Sequence, residues 1–246
     1  MIQNRTIEVK HLGLIDYKEA FVIQETHYKI IVDKKKKNLT RSRDAQEPTP
    51  NYLLFCEHFP VYTLGRSGSI DHLLVDAATL QAQGITLHSV NRGGDITYHG
   101  PGQLVVYPIV DLENFYTDIY RYLRLLELSV IETLRNFNIP STNFPGFTGV
   151  WLSEEKDKQL LDRKICAIGI RVSRWVTMHG LALNVNNDLA PFSQIVPCGI
   201  PKQVTSMKQE LKRSIPMASV VEILNKSIMN QLCKTLHGTQ EDAFRA

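Results

Sequence analysis

The sequence contains no apolar segment long enough to cross a bilayer and no recognisable secretion signal at its start. A membrane-spanning helix needs about 20 consecutive, mainly apolar residues, and no stretch approaches that length. Residues Met1 to Arg5 lack the apolar centre of a signal peptide. We therefore expect a soluble, cytoplasmic protein.

Cysteine and histidine lack the spacing of metal sites. The four cysteines form no CxxC pair, and the eight histidines include no HExxH motif. Neither a zinc site nor a disulfide framework is indicated, and the thiols are expected to be free in a reducing compartment. We expect no metal and no cofactor. The cysteines are Cys56, Cys166, Cys198 and Cys233.

The signatures of several large enzyme classes are also missing. There is no GxxxxGK(S/T) phosphate loop, no GxGxxG dinucleotide turn and no GxSxG nucleophile elbow. Their absence weakens kinase, dehydrogenase and serine hydrolase interpretations. The net charge of +3 is too small to argue for nucleic-acid binding by itself.

The chain does have the composition of a globular protein, because 43% of its residues are hydrophobic and 22% are charged. The predicted strands come in pairs and do not alternate strictly with helices. This pattern favours an α+β fold with a mainly antiparallel sheet and helices against one face. Strands are predicted at 6–12, 51–57, 104–112, 149–152, 165–172 and 176–185, helices at 16–36, 118–138 and 216–236, and a polar hairpin tip at 153–163.

The segment from Arg92 to Gln103 is the most distinctive part of the sequence. It contains four glycines, one arginine and one histidine in twelve positions, and an apolar run from Leu104 follows it. Glycine removes the side chain where another group must approach the backbone closely. We interpret the segment as shaped around a ligand, and expect glycines 93, 94, 169 and 180 to leave room for that ligand along the backbone.

Cys198 is the cysteine best suited to act as a nucleophile. It lies between Pro197 and Gly199 in a segment without a helix or strand pattern, whereas Cys56 and Cys233 lie in apolar elements. Catalysis and a simple loop cysteine both remain open from this pattern. Cys166 is a weaker rival, because it lies within an apolar strand.

A thiol with a pKa of about 8.5 needs a neighbouring cation or base to be ionised at neutral pH. The candidates are His99, His179 and Lys164. Lys164 opens an apolar strand, and the two-residue period of a strand places it on the same face as Cys166. The ordinary explanation of a lysine at the end of an apolar strand is that its stem packs on the protein while its ammonium stays in water.

A basic run extends from Lys34 to Lys37 and continues at Arg41 and Arg43. One interpretation is a solvated helix end, where cations suit the negative terminus of the helix dipole. The alternative is a docking patch for an acidic partner protein.

Several segments together resemble the octanoyl-[acyl carrier protein]:protein N-octanoyltransferases, the lipoate-protein ligase B type. They occur in that family's order and cover about residues 6–235. The segments are Glu57-His58 with Tyr62 to Arg66, Arg92 to Gln103, Lys164 to Gly169, His179 to Val185, and Pro197-Cys198-Gly199.

The resemblance implies the biotin/lipoate protein ligase fold in one catalytic domain, 1–246 with its core at about 6–235. It implies octanoyl transfer through a thioester on Cys198, with Lys164 depressing the pKa of that thiol. The donor would be octanoyl-acyl carrier protein, and the acceptors lysines on lipoyl domains of 2-oxoacid dehydrogenase complexes and on the glycine cleavage H protein. The implied substrate-binding residues are Arg92, Gly93, Gly94, Asp95, Ile96, Thr97, Tyr98, His99, Ala167, Ile168, Gly169, Gly180, Leu181 and Ala182.

Three other functions remain open from the sequence. An ATP-dependent lipoate ligase would form an adenylate and release AMP. A non-catalytic lipoyl-domain binding module would not need Cys198. A cysteine hydrolase would release free acid and leave no modified protein.

Overall fold

The computed structural model describes residues 3–153, 162–196 and 203–234. The strands of its main sheet are β1 (Glu8–Ile15), β2 (Tyr52–His58), β6 (Gln103–Ile109), β7 (Thr142–Phe144), β8 (Phe147–Leu152), β9 (Arg163–Ser173), β10 (Val176–Asn184) and β11 (Gln203–Val204). They run in the order β1-β2-β6-β10-β9-β8-β7, with the short β11 paired to β9. The pairs β1–β2 and β9–β11 are parallel and the others are antiparallel.

A second, three-stranded sheet lies beside the glycine-rich segment. It consists of β3 (Val61–Leu64), β4 (Thr86–Ser89) and β5 (Ile96–His99) in the order β4-β3-β5. The side chains of Tyr62 and Tyr98, which are directly paired across β3 and β5, pack with Phe192 in a separate small core.

Helices cover both faces of the main sheet, so the prediction of helices against one face is wrong. The helices are α1 (Tyr17–Leu39), α2 (Ala77–Ala82), α3 (Ile119–Asn136), α4 (Met207–Leu211) and α5 (Met217–Lys234). On β2, Leu53 and Phe55 join the apolar cluster that α3 and α5 complete. Leu54 and Cys56 join a cluster with α1 on the opposite face. Because side chains alternate across a strand, a strand buried on both faces reads as a continuous apolar run.

The predicted elements agree with the observed ones to within a few residues, and a turn at Arg174 and Trp175 joins β9 to β10. Helix α1 begins after Asp16, whose carboxylate accepts a hydrogen bond from the Lys18 backbone N–H. Most of the predicted hairpin tip at 153–163 lies outside the described residues.

The basic run lies at the end of α1 and is largely compensated within the chain. Lys35 is buried, and its Nζ lies 2.6 Å from an Asp111 carboxylate oxygen and 3.1 Å from one of Glu113. Lys34 and Arg41 both pair with Glu47. These internal ion pairs leave less positive charge for a partner than the sequence suggests, which weakens the docking interpretation.

Candidate active site

A cavity of about 500 Å³ lies between β9, β10, the glycine-rich segment and the β7–β8 hairpin. Lys164 lines it, and so do all the predicted substrate-binding residues except Tyr98. Tyr98 instead packs against Tyr62 and Phe192 in the small core. The structure therefore brings together three segments that are far apart in the sequence, around a space of the size that small-molecule sites usually have.

For Gly169 and Gly180 of the cavity wall, close backbone approach explains the glycine better than room for a ligand does. The Gly93 N–H donates to the Ile170 carbonyl oxygen at 2.9 Å, so the glycine-rich segment lies directly on β9. A Cβ atom at Gly169 would lie 2.7 Å from the Gly93 carbonyl oxygen. At Gly180 it would lie 2.1 Å from the carbonyl oxygen of Val106 on the neighbouring strand. Both distances are too short for a real Cβ contact.

Arg92 ties this segment to β3. Its guanidinium donates to the Thr63 carbonyl oxygen at 2.7 Å, to the Thr63 hydroxyl at 2.8 Å and to the Gly93 carbonyl oxygen at 3.0 Å. The side chain is buried. These contacts indicate that Arg92 orients the glycine pair of this segment.

Asp95 connects the glycine-rich segment to the chain that leads to Cys198. Its carboxylate accepts from its neighbour Ile96 N–H and is paired with the His72 imidazole. The His72 carbonyl oxygen in turn accepts from the Val196 N–H at 2.8 Å. The last described residue before Cys198 is therefore anchored, through His72, to a residue that lines the cavity.

His99 belongs to a continuous chain of buried hydrogen bonds beneath the cavity. The Gln103 amide nitrogen donates to the Tyr98 carbonyl and to the Asn184 side-chain oxygen, so its amide oxygen faces His99 Nδ1, at 2.7 Å. This arrangement fixes a proton on Nδ1 and leaves Nε2 to accept from the Thr63 hydroxyl at 3.4 Å.

Burial, with a smaller contribution from nearby His58, lowers the pKa of His99 to about 3. Its basic nitrogen is already engaged with Thr63. His99 is therefore poorly suited to act as a base, either for the thiol or for a substrate amine.

His179 differs from His99, because its Nε2 has no hydrogen-bond partner among the described residues. Its backbone has a positive φ of 58°, and its N–H donates to the Gln24 side-chain oxygen at 3.0 Å. Burial, followed by the charges of Arg92 and Arg171, lowers the pKa of its imidazole to about 3. His179 thus lines the cavity with a neutral imidazole whose Nε2 is buried and has no hydrogen-bond partner among the described residues.

Lys164 reaches the cavity from the start of β9. Its Nζ lies 4.5 Å from the centroid of the Trp151 ring. Its backbone pairs with Val204, and its carbonyl oxygen accepts from the Thr205 N–H at 2.9 Å. The chain therefore returns directly beside Lys164 after the segment that contains Cys198.

Cys198 itself lies outside the described residues, so the predicted contact with Lys164 stays a prediction. Residues before and after its segment line the cavity, namely Phe192 on the N-terminal side and Val204 on the C-terminal side. Among the described cysteines, Cys56 and Cys166 are buried, and burial raises the pKa of both thiols well above the ordinary value. Cys233 is exposed on α5, away from the cavity lining.

Cys166 does not share the position of Lys164. The pairing of β8 with β9 shifts register between Val150 and Trp151, opposite these residues. Lys164 lines the cavity, whereas Cys166 packs in the core with α3. The alternation of side chains along a regular strand is therefore broken here, and the prediction that Lys164 and Cys166 share a face is wrong. Cys166, the weaker candidate nucleophile, is a packing residue.

Sequence reasoning missed the wall that the β7–β8 hairpin contributes. Phe147, Thr148 and Trp151 line the cavity, as do Tyr17 at the start of α1 and Asn184 at the end of β10. Asn184 stands in the quoted His179 to Val185 motif, so its motif position was the available signal. Trp151 lies in a short predicted strand, and nothing in its local pattern indicated a cavity.

No group of three or more His, Cys, Asp or Glu side chains among the described residues is arranged to hold a metal ion. In the same part of the chain, no helix is both long and apolar enough to span a membrane.

A sequence model of the lipoyl protein ligase A/B catalytic domain matches residues 34–229, and the chain belongs to that family. An octanoyltransferase of Cytophaga hutchinsonii is 50% identical over 226 residues, which cover 92% of each chain. The chain is thus an acyltransferase of the octanoyltransferase group, acting in lipoate biosynthesis.

Two solved structures show the same fold at low sequence identity. A bipartite lipoate protein ligase of Thermoplasma acidophilum is 17% identical, with a TM-score of 0.60 over 96% of this chain and 86% of its own. A biotin protein ligase of Aquifex aeolicus, solved with biotin and ATP, is 14% identical, with a TM-score of 0.52 over 97% and 74%. The predicted α+β fold of the biotin/lipoate ligases is confirmed.

Proposed function

We propose that this enzyme takes an octanoyl group from octanoyl-acyl carrier protein, carries it as a thioester on Cys198, and transfers it to a lysine of a lipoyl domain. The acceptors are the lipoyl domains of 2-oxoacid dehydrogenase complexes and the glycine cleavage H protein. The observation that carries this proposal is the position of Lys164, at the cavity and paired with the strand that follows Cys198.

The cavity supports an acyl substrate because much of its wall is apolar. Ile168, Leu181 and Ala182 line its floor, and Phe147 lines the side formed by the β7–β8 hairpin. An apolar chain gains free energy when it leaves water for such a surface. All the predicted substrate-binding residues except Tyr98 line this cavity.

In the first half-reaction, the ammonium of Lys164 stabilises the Cys198 thiolate. The thiolate attacks the donor carbonyl carbon, forming the new C–S bond, and the bond to the carrier's sulfur breaks. Lys164 gives its proton to the departing thiolate and becomes a neutral amine. One thioester replaces another, so the step needs no nucleotide.

In the second half-reaction, the neutral amine of Lys164 takes a proton from the acceptor's ammonium group. The acceptor amine then attacks the thioester carbonyl, an amide forms, and the Cys198 thiolate leaves. The second proton of the acceptor nitrogen passes to water. Lys164 is again an ammonium beside a thiolate, and formation of the amide drives the cycle. The neutral, buried His99 is not needed as a base.

Intact mass spectrometry after mixing with octanoyl-acyl carrier protein tests the thioester. We expect one hydroxylamine-labile octanoyl adduct, absent in Cys198→Ser and retained in Cys166→Ser and Cys233→Ser. An adduct that survives in Cys198→Ser would overturn the proposal. Release of free octanoate without an adduct would favour the hydrolase.

An ATP-dependent ligase is the second candidate, because the fold is shared with ligases and one of these structures was solved with ATP. That function predicts AMP release from octanoate and ATP, together with modification of the acceptor. A non-catalytic binding module predicts neither product, and its role would survive Cys198→Ala. Incubating the enzyme with acceptor domain and each donor separately distinguishes these functions.

A further inference from the structure

Trp151 forms one wall of the site that Lys164 occupies. The two residues are direct cross-strand partners in β8 and β9, so their side chains lie on the same face of the sheet. Lys164 Nζ lies 4.5 Å from the centroid of the indole ring. Trp151 is only 3% exposed, and its indole N–H donates to the Phe147 carbonyl oxygen at 3.2 Å. The ring therefore has a fixed orientation beneath the ammonium.

Gly149 supports the stem of the same lysine. Its φ of 122° suits glycine, and a Cβ atom there would lie 3.5 Å from Lys164 Cε and 2.6 Å from the Cys166 carbonyl oxygen. The Gly149 N–H donates to a carboxylate oxygen of Glu127 at 2.9 Å. The backbone of β8 therefore packs tightly against β9 at the place where Lys164 leaves it.

Glu127 anchors this arrangement from α3. Its side chain is fully buried and accepts hydrogen bonds from Asn143 at 3.0 Å and Arg124 at 2.8 Å, besides Gly149. The carboxylate lies close enough to Lys164 for their charges to interact. Two neighbours of Lys164 on β9 are titratable, namely Arg163 and the thiol of Cys166. Arg163 forms an ion pair with Glu210 of α4.

We propose that Trp151 is a positioning residue for the reaction: its ring face holds the ammonium of Lys164 at the cavity, in the charged form that ionises Cys198. This inference rests on the proposed function of the Lys164–Cys198 pair. An aromatic face attracts a cation most strongly where water is excluded, and a Trp face attracts it more than a Phe face does.

Two substitutions of Trp151 distinguish an electrostatic role of the ring from simple packing. Trp151→Phe keeps an aromatic face, whereas Trp151→Leu keeps an apolar side chain without one. Loss of the face removes a stabilising interaction of the ammonium and lets it leave its position at the cavity, where the proposed pairing with Cys198 requires it. The thiolate fraction of Cys198 at neutral pH then falls in Trp151→Leu and is largely kept in Trp151→Phe.

The test measures the rate of iodoacetamide alkylation of Cys198 between pH 5 and 10, by peptide mass spectrometry. The exposed Cys233 of the same molecules is the internal control for an ordinary thiol. We expect alkylation at pH 7 to fall roughly tenfold in Trp151→Leu, the factor that one pKa unit represents. In Trp151→Phe it should fall less than about threefold, and the Cys233 profile should not change.

Two further variants make the outcomes distinct. Lys164→Met should raise the pKa of Cys198 at least as much as Trp151→Leu does, and Trp175→Leu, which removes the other tryptophan, should leave it unchanged. If Lys164→Met does not raise that pKa, the proposed pairing with Cys198 fails. If Lys164→Met raises it and Trp151→Leu does not, only the role of Trp151 is overturned. Equal effects of Trp151→Phe and Trp151→Leu would indicate packing alone. Thermal melts of each variant establish that it is folded.

Discussion

Gly180→Ala tests why glycine stands in the wall of the cavity. The new Cβ atom would lie 2.1 Å from the Val106 carbonyl oxygen and 2.7 Å from Pro108 Cδ. A backbone oxygen in the middle of a sheet cannot rotate away, so β10 and β6 must separate locally. Overpacking of this kind costs about 1–3 kcal/mol, and we expect the upper end because the obstacle is backbone.

For a chain of this size, about 3 kcal/mol lowers the thermal midpoint by roughly 6–12 °C. Gly93→Ala is the matched control, since Gly93 lines the same cavity but its Cβ atom would meet only the Ile170 carbonyl oxygen, at 3.4 Å. We expect that variant to be as stable as the parent, or slightly more stable because its unfolded chain is less flexible.

Differential scanning calorimetry of the three proteins at one pH measures both shifts. The reasoning fails if Gly180→Ala has the same thermal midpoint as the parent, or if the midpoint of Gly93→Ala is the lower of the two variants. If Gly180→Ala keeps the parent's midpoint, the strands can accommodate a Cβ atom there, and strand packing does not explain the glycine.

Two more predictions concern buried charge and buried imidazole. Lys35→Met leaves the Asp111 carboxylate buried without its 2.6 Å partner, and should cost about 3–5 kcal/mol in urea unfolding. Exposed Lys37→Met should change the stability by less than about 0.5 kcal/mol, and equal costs would refute the role of the ion pair. Because the folded state lowers the pKa of His99 and His179 from 6.5 to about 3, the unfolded chain binds more protons below pH 6.5. The free energy of unfolding should therefore fall from pH 7 to 5, by up to about 1.4 kcal/mol per pH unit for each histidine. The variant His99→Gln should show a weaker dependence on pH, and an unchanged slope in this variant would contradict the prediction.

The sequence by itself determined the elements and the motifs. Continuous apolar runs such as Tyr52 to Cys56 mark strands buried on both faces, and the helical spacing of apolar residues predicted α3 almost to its ends. The glycine-rich segment and the His179 motif were recognisable because their residues match the family's motifs and stand in the family's order. Membership of the octanoyltransferase group followed from these local patterns.

Only the tertiary structure decided which neighbours these residues have. The pairing of Lys164 with Trp151 depends on a register shift between two strands, and a one-dimensional period cannot encode such a shift. In the same way, the sequence suggests that Lys35 is exposed, but in the structure α1 places its ammonium against Asp111, which is 76 positions away. Contacts between distant segments fix protonation, burial and the shape of the cavity, so these properties arise only when the sheet is assembled.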